Sequence, residues 1–379
     1  MKIINCLASI KTKPWIIVLI ILIAYSLLFV QAYFKPFTKD RIVDTWSYYF
    51  ASKALIQGEN IYDAKTIEEL APSNLGPVYP YLYPPILAML WTPMLFFSPV
   101  TTYNIFLAIN LFLTGINGLI LWRLFGADKK GLDWFLIFFI AFHVIFGPLV
   151  STLRLGQINI FLGSLIFLSL YLQSRGKEIF ASFLLSLAIL IKITPAVFVL
   201  YYIVQRRWRP IISIFLFSLG ICLISIALIG FKPWIDFIER AIQPMPFKPI
   251  ITLKTLVITI TEQLHLNGNI GLMIFIFIIG LLLTRVVLRL IKMKREDNEP
   301  VEAWSLLTLF SFLIFPLTWH HHYYLGILPF MFMFIRSLRQ HPEWQKWVWL
   351  VLTLCALFRY PGTLHFLKPI SSLIGLILI

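Results

Sequence analysis

The chain has 379 residues, of which 59% are hydrophobic and 13% are charged, and phenylalanine alone occurs 34 times. A soluble core cannot bury that much apolar surface, so the composition excludes an ordinary soluble enzyme and predicts an integral membrane protein. The net charge of +15 is spread over short basic segments between apolar runs. Such segments set membrane orientation, so no nucleic-acid partner is expected.

Several apolar runs are long enough to cross roughly 30 Å of hydrocarbon as helices. They include Pro14 to Phe34, Trp134 to Val150, Ile211 to Gly230 and Ile270 to Leu290. Apolar and polar residues do not alternate along these runs, which argues against an outer-membrane barrel. We therefore expect an all-α bundle of about 11 to 13 membrane segments, forming a single domain over residues 1–379.

The amino terminus places Lys2, Lys11 and Lys13 before the first apolar run, as a signal peptide would. The run is about twice the usual length of a signal-peptide core and lacks a small-residue cleavage site, so it predicts an uncleaved first transmembrane helix. Cysteines occur near the amino terminus or within apolar helices, which indicates neither a disulfide framework nor a zinc site.

Basic segments label the face of the membrane to which each loop belongs. Those expected in the cytoplasm are Lys129-Lys130, Arg175 with Lys177, Arg206-Arg207-Arg209, Arg289 to Arg295, and Arg336 with Arg339. The turns expected on the opposite face are Lys35 to Tyr83, Arg154 to Asn159, Lys192 to Pro195, Phe231 to Gly268, and Trp319 to His322. This pattern predicts a multi-pass protein of the cytoplasmic (inner) membrane with its functional residues on the extracytoplasmic face.

The loop over residues 35–83 contains six of the 17 acidic residues. The stretch from Asp44 to Leu55 has aromatic and apolar residues at helical spacing, which predicts an amphipathic helix lying along the membrane surface. Asp44, at its start, is either a helix N-cap or a catalytic carboxylate. Tyr83-Pro84-Pro85 closes the loop as an interfacial anchor. The following segment, Pro84 to Ser98, contradicts the charge rule if it spans, so it is either re-entrant or tilted, or one basic loop is an exception.

Three polar residues, Arg154, Gln157 and Asn159, lie between apolar runs on the expected outer face. Arg154 is either a snorkelling helix-end residue or a second cationic donor. Gln157 and Asn159 begin a helix, where they could cap it or hydrogen-bond sugar hydroxyls.

Burying the Lys192 ammonium in hydrocarbon is energetically unfavourable unless a partner or water is present. Lys192 is therefore a candidate functional residue, and its charge suits a phosphate ligand. The apolar segments on either side of Lys192 are each about a dozen residues long. They are either two short spans joined by a turn or one longer helix broken near Pro195.

Three consecutive histidines, His320 to His322, follow Trp319. Neighbouring helical positions point about 100° apart, so the three cannot all face one metal ion, and one or two are better placed as hydrogen-bonding or proton-carrying groups. Interfacial placement is the alternative. No nucleotide-binding motif occurs, and neither a metal nor another cofactor is expected.

Several short motifs follow one another at characteristic spacing over residues 40–330. They are Asp44 with Tyr48-Tyr49-x-Ala51, Gly58 with Tyr62-Asp63, Tyr83-Pro84-Pro85, Gly156-Gln157-x-Asn159, Lys192-x-Thr194-Pro195, Arg206-Arg207-Trp208 and Trp319-x-His321-His322. This series resembles glycosyltransferase family 87 of the GT-C superfamily. The resemblance implies transfer of a hexose, typically mannose, from a polyprenyl-phosphate donor to a lipid or glycan acceptor outside the cytoplasmic membrane, and it places the family's catalytic aspartate at Asp44.

The residues fit that chemistry, since inverting transfer from a lipid phosphate needs one base and a group that stabilises the departing phosphate. Asp44 would be the base. Lys192, with Arg154 and His322, would bind the donor phosphate. Tyr83, Gln157, Asn159 and His321 would contact substrate, and membrane lipids would surround the bundle.

Two other protein classes fit parts of the pattern. A transporter or flippase for a lipid-linked sugar would distribute polar residues along a path through the bilayer. A membrane metalloprotein would bind its metal through the histidines.

Overall fold

A computed structural model describes residues 19, 23–30, 43–125, 146–243, 252–265, 267–293, 299–315, 318–339 and 367–378. All regular structure within these ranges is helical, which confirms the predicted all-α membrane protein. Some predictions lie outside the described residues. These concern residues 1–18, 35–42, 129–130, 134–145, 294–298 and Cys355.

The described helices follow one another with short connections. In chain order they are α1 (23–30), α2 (Asp44–Gln57), α3 (Ala64–Leu70), α4 (Pro85–Trp91), α5 (Pro99–Leu124), α6 (Gly147–Leu155), α7 (Asn159–Ser174), α8 (Glu178–Ile191), α9 (Val199–Val204), α10 (Trp208–Ile229), α11 (Lys232–Ile242), α12 (Leu253–Gln263), α13 (Gly268–Lys292), α14 (Glu299–Ile314), α15 (Ile327–Arg339) and α16 (Leu367–Leu378). Short 3-10 turns cover Thr92–Phe96, Thr194–Phe198 and His320–Gly326.

Three of the described helices, α5, α10 and α13, are long and apolar enough to cross a membrane. Apolar side chains on α10 and α13 point outward, with Phe215 64% and Phe277 67% exposed. Lipid is the solvent that stabilises such surfaces. The helix α7 is shorter and packs in the interior, where Ile166 and Phe167 are fully buried.

The chain makes a hairpin at Lys192. The Ser182 hydroxyl of α8 donates to the Pro210 carbonyl (3.4 Å), and the Ser186 hydroxyl, one turn later, donates to the Ile214 carbonyl (3.1 Å), one turn later in α10. The two helices therefore run parallel. Residues 192–207 must therefore return the chain to the level where α8 began. Of the two alternatives left by the sequence, the turn between two short segments is the correct one.

Basic segments gather at the end of the bundle opposite Lys192. Arg207 lies 3.9 Å from Glu178 at the start of α8. Glu302 pairs with Arg289 and, at 3.7 Å, with Arg336. Where the chain is described, these basic segments therefore lie at one end of the bundle, and their placement in the cytoplasm stays a prediction.

The segment from Pro84 to Ser98 does not cross the bundle. Its seven-residue helix α4 and five-residue 3-10 turn rise roughly 20 Å together, short of the roughly 30 Å of a hydrocarbon core. Both ends lie against α2, since the Tyr83 hydroxyl lies 3.2 Å from that of Tyr48 and the Tyr49 hydroxyl donates to the Phe97 carbonyl (2.9 Å). The re-entrant alternative explains both facts, and it leaves the charge rule intact.

The prediction of an amphipathic surface helix at Asp44 to Leu55 is wrong in one respect. The helix forms as α2, but residues 45–52 are buried on all sides, with Ala51 and Ser52 fully inaccessible. Small residues opposite the aromatic side chains let neighbouring segments approach closely, and the Ser52 hydroxyl donates to the Ala88 carbonyl at 2.8 Å. α2 is therefore a core helix.

Gly156 joins α2 to the turn before α7. It ends α6 at φ 64°, and its carbonyl accepts a hydrogen bond from the Thr45 hydroxyl at 2.9 Å. A methyl group at this position would lie 2.0 Å from that hydroxyl oxygen. Only glycine satisfies both the left-handed backbone and the close contact.

We expect Gly156→Ala to lower the thermal unfolding midpoint far more than Gly176→Ala. Gly176 also has positive φ (73°) but has open space around a Cβ. Gly176→Ala should cost only the backbone strain, about 1 to 2 kcal/mol, whereas Gly156→Ala adds roughly 1 to 3 kcal/mol of overpacking. Unfolding of both variants in detergent measures the difference, and equal midpoints would contradict this packing.

Candidate functional site

A cavity of about 400 Å³ opens at the end of the bundle that holds Lys192. Most of its wall is aromatic or aliphatic, and a few polar groups converge on it, as in many ligand sites. The polar side chains are Asp44, Ser47, Gln157, Lys192, Thr194, His321 and His322; the aromatic ones are Tyr48, Tyr79, Tyr83, Phe237, Phe315 and Trp319.

Asp44 is the first residue of α2 and does not cap it. The N-cap residue is Val43, and no side chain makes a capping hydrogen bond there. One carboxylate oxygen of Asp44, Oδ2, instead accepts a 2.6 Å hydrogen bond from Nε2 of Gln157, 113 residues away. The N-cap alternative is therefore wrong, and Asp44 is held in the cavity wall from outside its own helix.

Gln157 is fixed by two tyrosines. The hydroxyls of Tyr48 and Tyr83 lie 2.9 Å and 3.1 Å from its Oε1, where each can donate. With its oxygen used in this way, the amide can only direct its NH₂ group toward Asp44. Gln157 does not cap α7, whose N-cap is Ile158 without a side-chain hydrogen bond.

Lys192 follows the last turn of α8 with extended backbone angles. Its Nζ donates to Oδ1 of Asn159 at 3.0 Å and lies 5.5 Å from the ring centroid of Tyr83. Asn159 in turn donates to the backbone carbonyl of His321 at 3.2 Å. An ammonium group has three N–H donors, and Asn159 takes one of them. Asn159 thus orients the ammonium instead of lining the main cavity.

The histidines lie on the 3-10 turn, and two of the three reach the cavity. His321 is 6% exposed, with its ring stacked near Trp319 at 6.3 Å between centroids. Nδ1 of His322 accepts a 3.0 Å hydrogen bond from the Trp319 backbone, so a neutral imidazole carries its proton on Nε2. Among the described residues, no group of three or more His, Cys, Asp and Glu side chains is placed to hold a metal ion.

Arg154 is not brought to the cavity. It lies on the last turn of α6, and its backbone carbonyl accepts from the Tyr103 hydroxyl at 3.2 Å. Its side chain is absent from the walls of the main cavity and of the small space behind Lys192. The role of Arg154 as a second cation for the donor phosphate stays a prediction.

Several contributors to the site were not predicted from the sequence, and Tyr48 and Phe237 are two of them. Tyr48 was part of a motif, but its role as a donor to Gln157 depends on a contact across 109 residues. Phe237 belongs to α11, which contributes one wall of the cavity. The strong amphipathic pattern of residues 232–242 is the signal that could have indicated a packed helix there.

The Asp44 carboxyl is less acidic than an ordinary aspartate. Burial raises its pKa from 3.8 to about 6, while the Gln157 hydrogen bond and the positive charge of Lys192 act in the opposite direction. A carboxylate of this pKa is a competent general base near neutral pH. The cavity thus brings together a carboxyl group of raised pKa, an oriented ammonium group and aromatic surface.

The chain is similar to known glycosyltransferases. The model of glycosyltransferase family 87 matches residues 81–316. A curated relative from Mycobacterium tuberculosis (strain ATCC 25618 / H37Rv) is a polyprenol-phosphate-mannose-dependent alpha-(1-2)-phosphatidylinositol mannoside mannosyltransferase. It is 24% identical, over 74% of this chain and 67% of its own length. No solved structure matches.

The matched residues include Tyr83, Gln157, Asn159 and Lys192, whereas Asp44 and the histidine turn lie outside them. More than half of the chain falls within the family's range, so the chain belongs to glycosyltransferase family 87.

Proposed function

We propose that this membrane glycosyltransferase moves a hexose, which we take to be mannose, from a polyprenyl-phosphate donor to a lipid or glycan acceptor at the extracytoplasmic face of the cytoplasmic membrane. The observation that carries the proposal is one cavity with Asp44 and Lys192 on its walls, at the end of the bundle opposite the basic segments. By the positive-inside rule, that end is extracytoplasmic. The relative's dependence on polyprenol-phosphate-mannose supports the choice of donor.

The proposed reaction is a single displacement with inversion. Asp44 takes the proton of the acceptor hydroxyl while the oxygen of that hydroxyl attacks the anomeric carbon of the donor sugar. The bond between that carbon and the phosphate oxygen breaks, and the polyprenyl phosphate leaves with the bonding electron pair. One carboxylate is sufficient because the acceptor itself is the nucleophile.

Lys192 would stabilise the charge that develops on the leaving phosphate. Its ammonium is oriented by Asn159, so little reorganisation is needed as negative charge grows. His322, with its proton on Nε2, and His321 would bind the phosphate or orient the acceptor. The aromatic walls, including Tyr83, suit the apolar faces of a sugar ring.

A transporter or flippase for a lipid-linked sugar is less well supported. Transport across the bilayer requires polar groups along a continuous path. Within the described ranges, the polar side chains that line the cavity gather at one end of the bundle, and the ion pairs of Glu178 and Glu302 lie at the other. This separation suits chemistry at one membrane surface.

Reconstituted protein supplied with a radiolabelled polyprenyl-phosphate mannose tests the proposal. We expect label to move to an extracted glycolipid or glycan acceptor, with polyprenyl phosphate released in equal amount. Movement of intact donor between leaflets, without cleavage of the sugar-phosphate bond, would support the transporter instead.

The transfer rate should rise with pH through about 6. Asp44 acts as a base only when ionised, and its pKa is about 6, so activity is lost as pH falls through that value. In Gln157→Leu the rise of the transfer rate should occur at higher pH, because the hydrogen bond that favours the ionised Asp44 carboxylate is removed. The rising part of the pH–rate profile is measured from the turnover rates of both proteins between about pH 4.5 and 8, a range that extends to either side of the Asp44 pKa. A rise that stays at the same pH in the variant would argue against Asp44 as the titrating group.

A further inference from the structure

Helix α11 separates the cavity from the outside of the bundle. It follows α10 after Gly230, whose φ of 79° turns the chain sharply. The indole Nε1 of Trp234 donates to the Ser225 hydroxyl on α10 at 3.2 Å. Ser225 lies four residues before the end of α10, a rise of about 6 Å. The helix therefore folds back beside the membrane-spanning segment, below the level where that segment ends.

The side chains of α11 form three stripes at helical spacing. Phe231, Ile235, Ile238 and Ile242 recur at intervals of four, three and four, and they are 60%, 43%, 61% and 81% exposed. Trp234 and Phe237 lie on the neighbouring stripe, toward the protein. The charged residues occupy the remaining part of the circumference.

The inward stripe touches the site. Phe237 lines the cavity, and its ring lies 5.9 Å from that of Tyr62. The isoleucine stripe adjoins it and faces away from the described protein. Across α11, the cavity and the outer apolar surface are thus separated by a single helix.

The outer stripe is continuous with a surface that faces lipid. α10 exposes apolar residues along its length, and Leu228 at its end is 69% exposed. Exposed isoleucines next to such a surface need an apolar environment. The charges of α11 balance, since Lys232 and Arg240 oppose Asp236 and Glu239. Attraction to anionic lipid is therefore not the driving force.

We infer that α11 lies in the lipid–water interface on the cavity side of the membrane, with its isoleucine stripe inserted among lipid acyl chains and its charged stripe in water. The buried apolar area provides the free energy, as in other interfacial helices. The inference is independent of the reaction proposed for the cavity.

Site-directed spin labelling in proteoliposomes tests the placement. Cys6, Cys222 and Cys355 are replaced by serine, and a nitroxide is attached at Ile238→Cys or, as the matched control one residue further on, at Glu239→Cys. Collision with oxygen, which concentrates in hydrocarbon, and with a water-soluble nickel chelate is then measured. We expect a several-fold higher oxygen-to-chelate ratio at position 238 than at 239, and Ile235→Cys provides a second label on the inserted stripe should the first variant fold poorly.

Three outcomes would overturn the inference. Equal ratios at positions 238 and 239 would place the isoleucine stripe in water. Exclusion of both reagents from position 238 would mean that a second copy of the chain or another protein covers it. Vesicles of phosphatidylcholine alone should give the same ratios as vesicles with added phosphatidylglycerol, and a ratio that collapses without the anionic lipid would contradict insertion by apolar area.

Discussion

Replacing Asp44 by asparagine should lower the transfer rate roughly 10³-fold, within the range usual for loss of a general base. Asparagine has the shape of aspartate and can still accept the hydrogen bond from Gln157 Nε2, but it cannot take a proton from the acceptor hydroxyl. The donor should still bind, because the proposed contact between its phosphate and Lys192 is unchanged. Turnover under saturating donor and acceptor, with donor affinity determined separately, measures the effect.

The fold should tolerate this change. Since burial raises the pKa of Asp44 above its usual value, the folded state is favoured while the carboxyl is protonated, and stability is lost as pH rises from 3.8 toward 6. An uncharged asparagine removes that cost at neutral pH, so the variant should be at least as stable as the parent protein.

Asp63→Asn is the matched control for Asp44→Asn. Asp63 belongs to the same loop, but it caps α3 by accepting hydrogen bonds from the backbone of Lys65 and Thr66. Asparagine is an equally good N-cap, so activity and stability should hardly change. Undiminished turnover in Asp44→Asn, or equal loss in both variants, would remove Asp44 from the reaction.

Replacing Lys192 by methionine should slow transfer roughly 10²- to 10³-fold, as for loss of one preorganised group that stabilises developing charge. Methionine keeps much of the length of the side chain and loses the ammonium that Asn159 orients. The larger effect should fall on turnover, since the negative charge of the phosphate grows as the sugar departs. Donor affinity should also weaken.

Two comparisons make the Lys192 result interpretable. Lys65→Met removes an exposed lysine that pairs with Glu69 on the surface, and it should leave both donor affinity and turnover unchanged. A donor with a better leaving group should recover part of the turnover lost in Lys192→Met, because less charge stabilisation is then needed. Normal affinity and turnover in Lys192→Met would show that the phosphate binds elsewhere.

The candidate site could be predicted in part from the sequence because charged and titratable residues are few and stand out next to long apolar segments. Asp44, Lys192, His321 and His322 were all singled out, and the structure places them around one cavity. The cost of putting ionised groups into hydrocarbon makes each such residue informative without knowledge of its partners.

The hydrogen-bond partners of these side chains could not be predicted from the sequence in the same way. The sequence predicts that the Gln157 amide either caps a helix or hydrogen-bonds a sugar. In the structure it makes hydrogen bonds with Asp44, Tyr48 and Tyr83. Arg154 had the right charge and the expected face but lies outside the cavity walls. These outcomes depend on contacts between segments about 75 to 115 residues apart, which local spacing does not report.

The sequence by itself determined that this protein resides in the membrane and that its basic segments share one face, because hydropathy and charge are properties of individual segments. Only the tertiary structure decided that α2 is a core helix, that Pro84 to Ser98 re-enters, and that the chain reverses at Lys192. A residue facing lipid and one facing the protein interior are both apolar, so composition cannot distinguish them. Packing and hydrogen bonds between distant segments make that distinction.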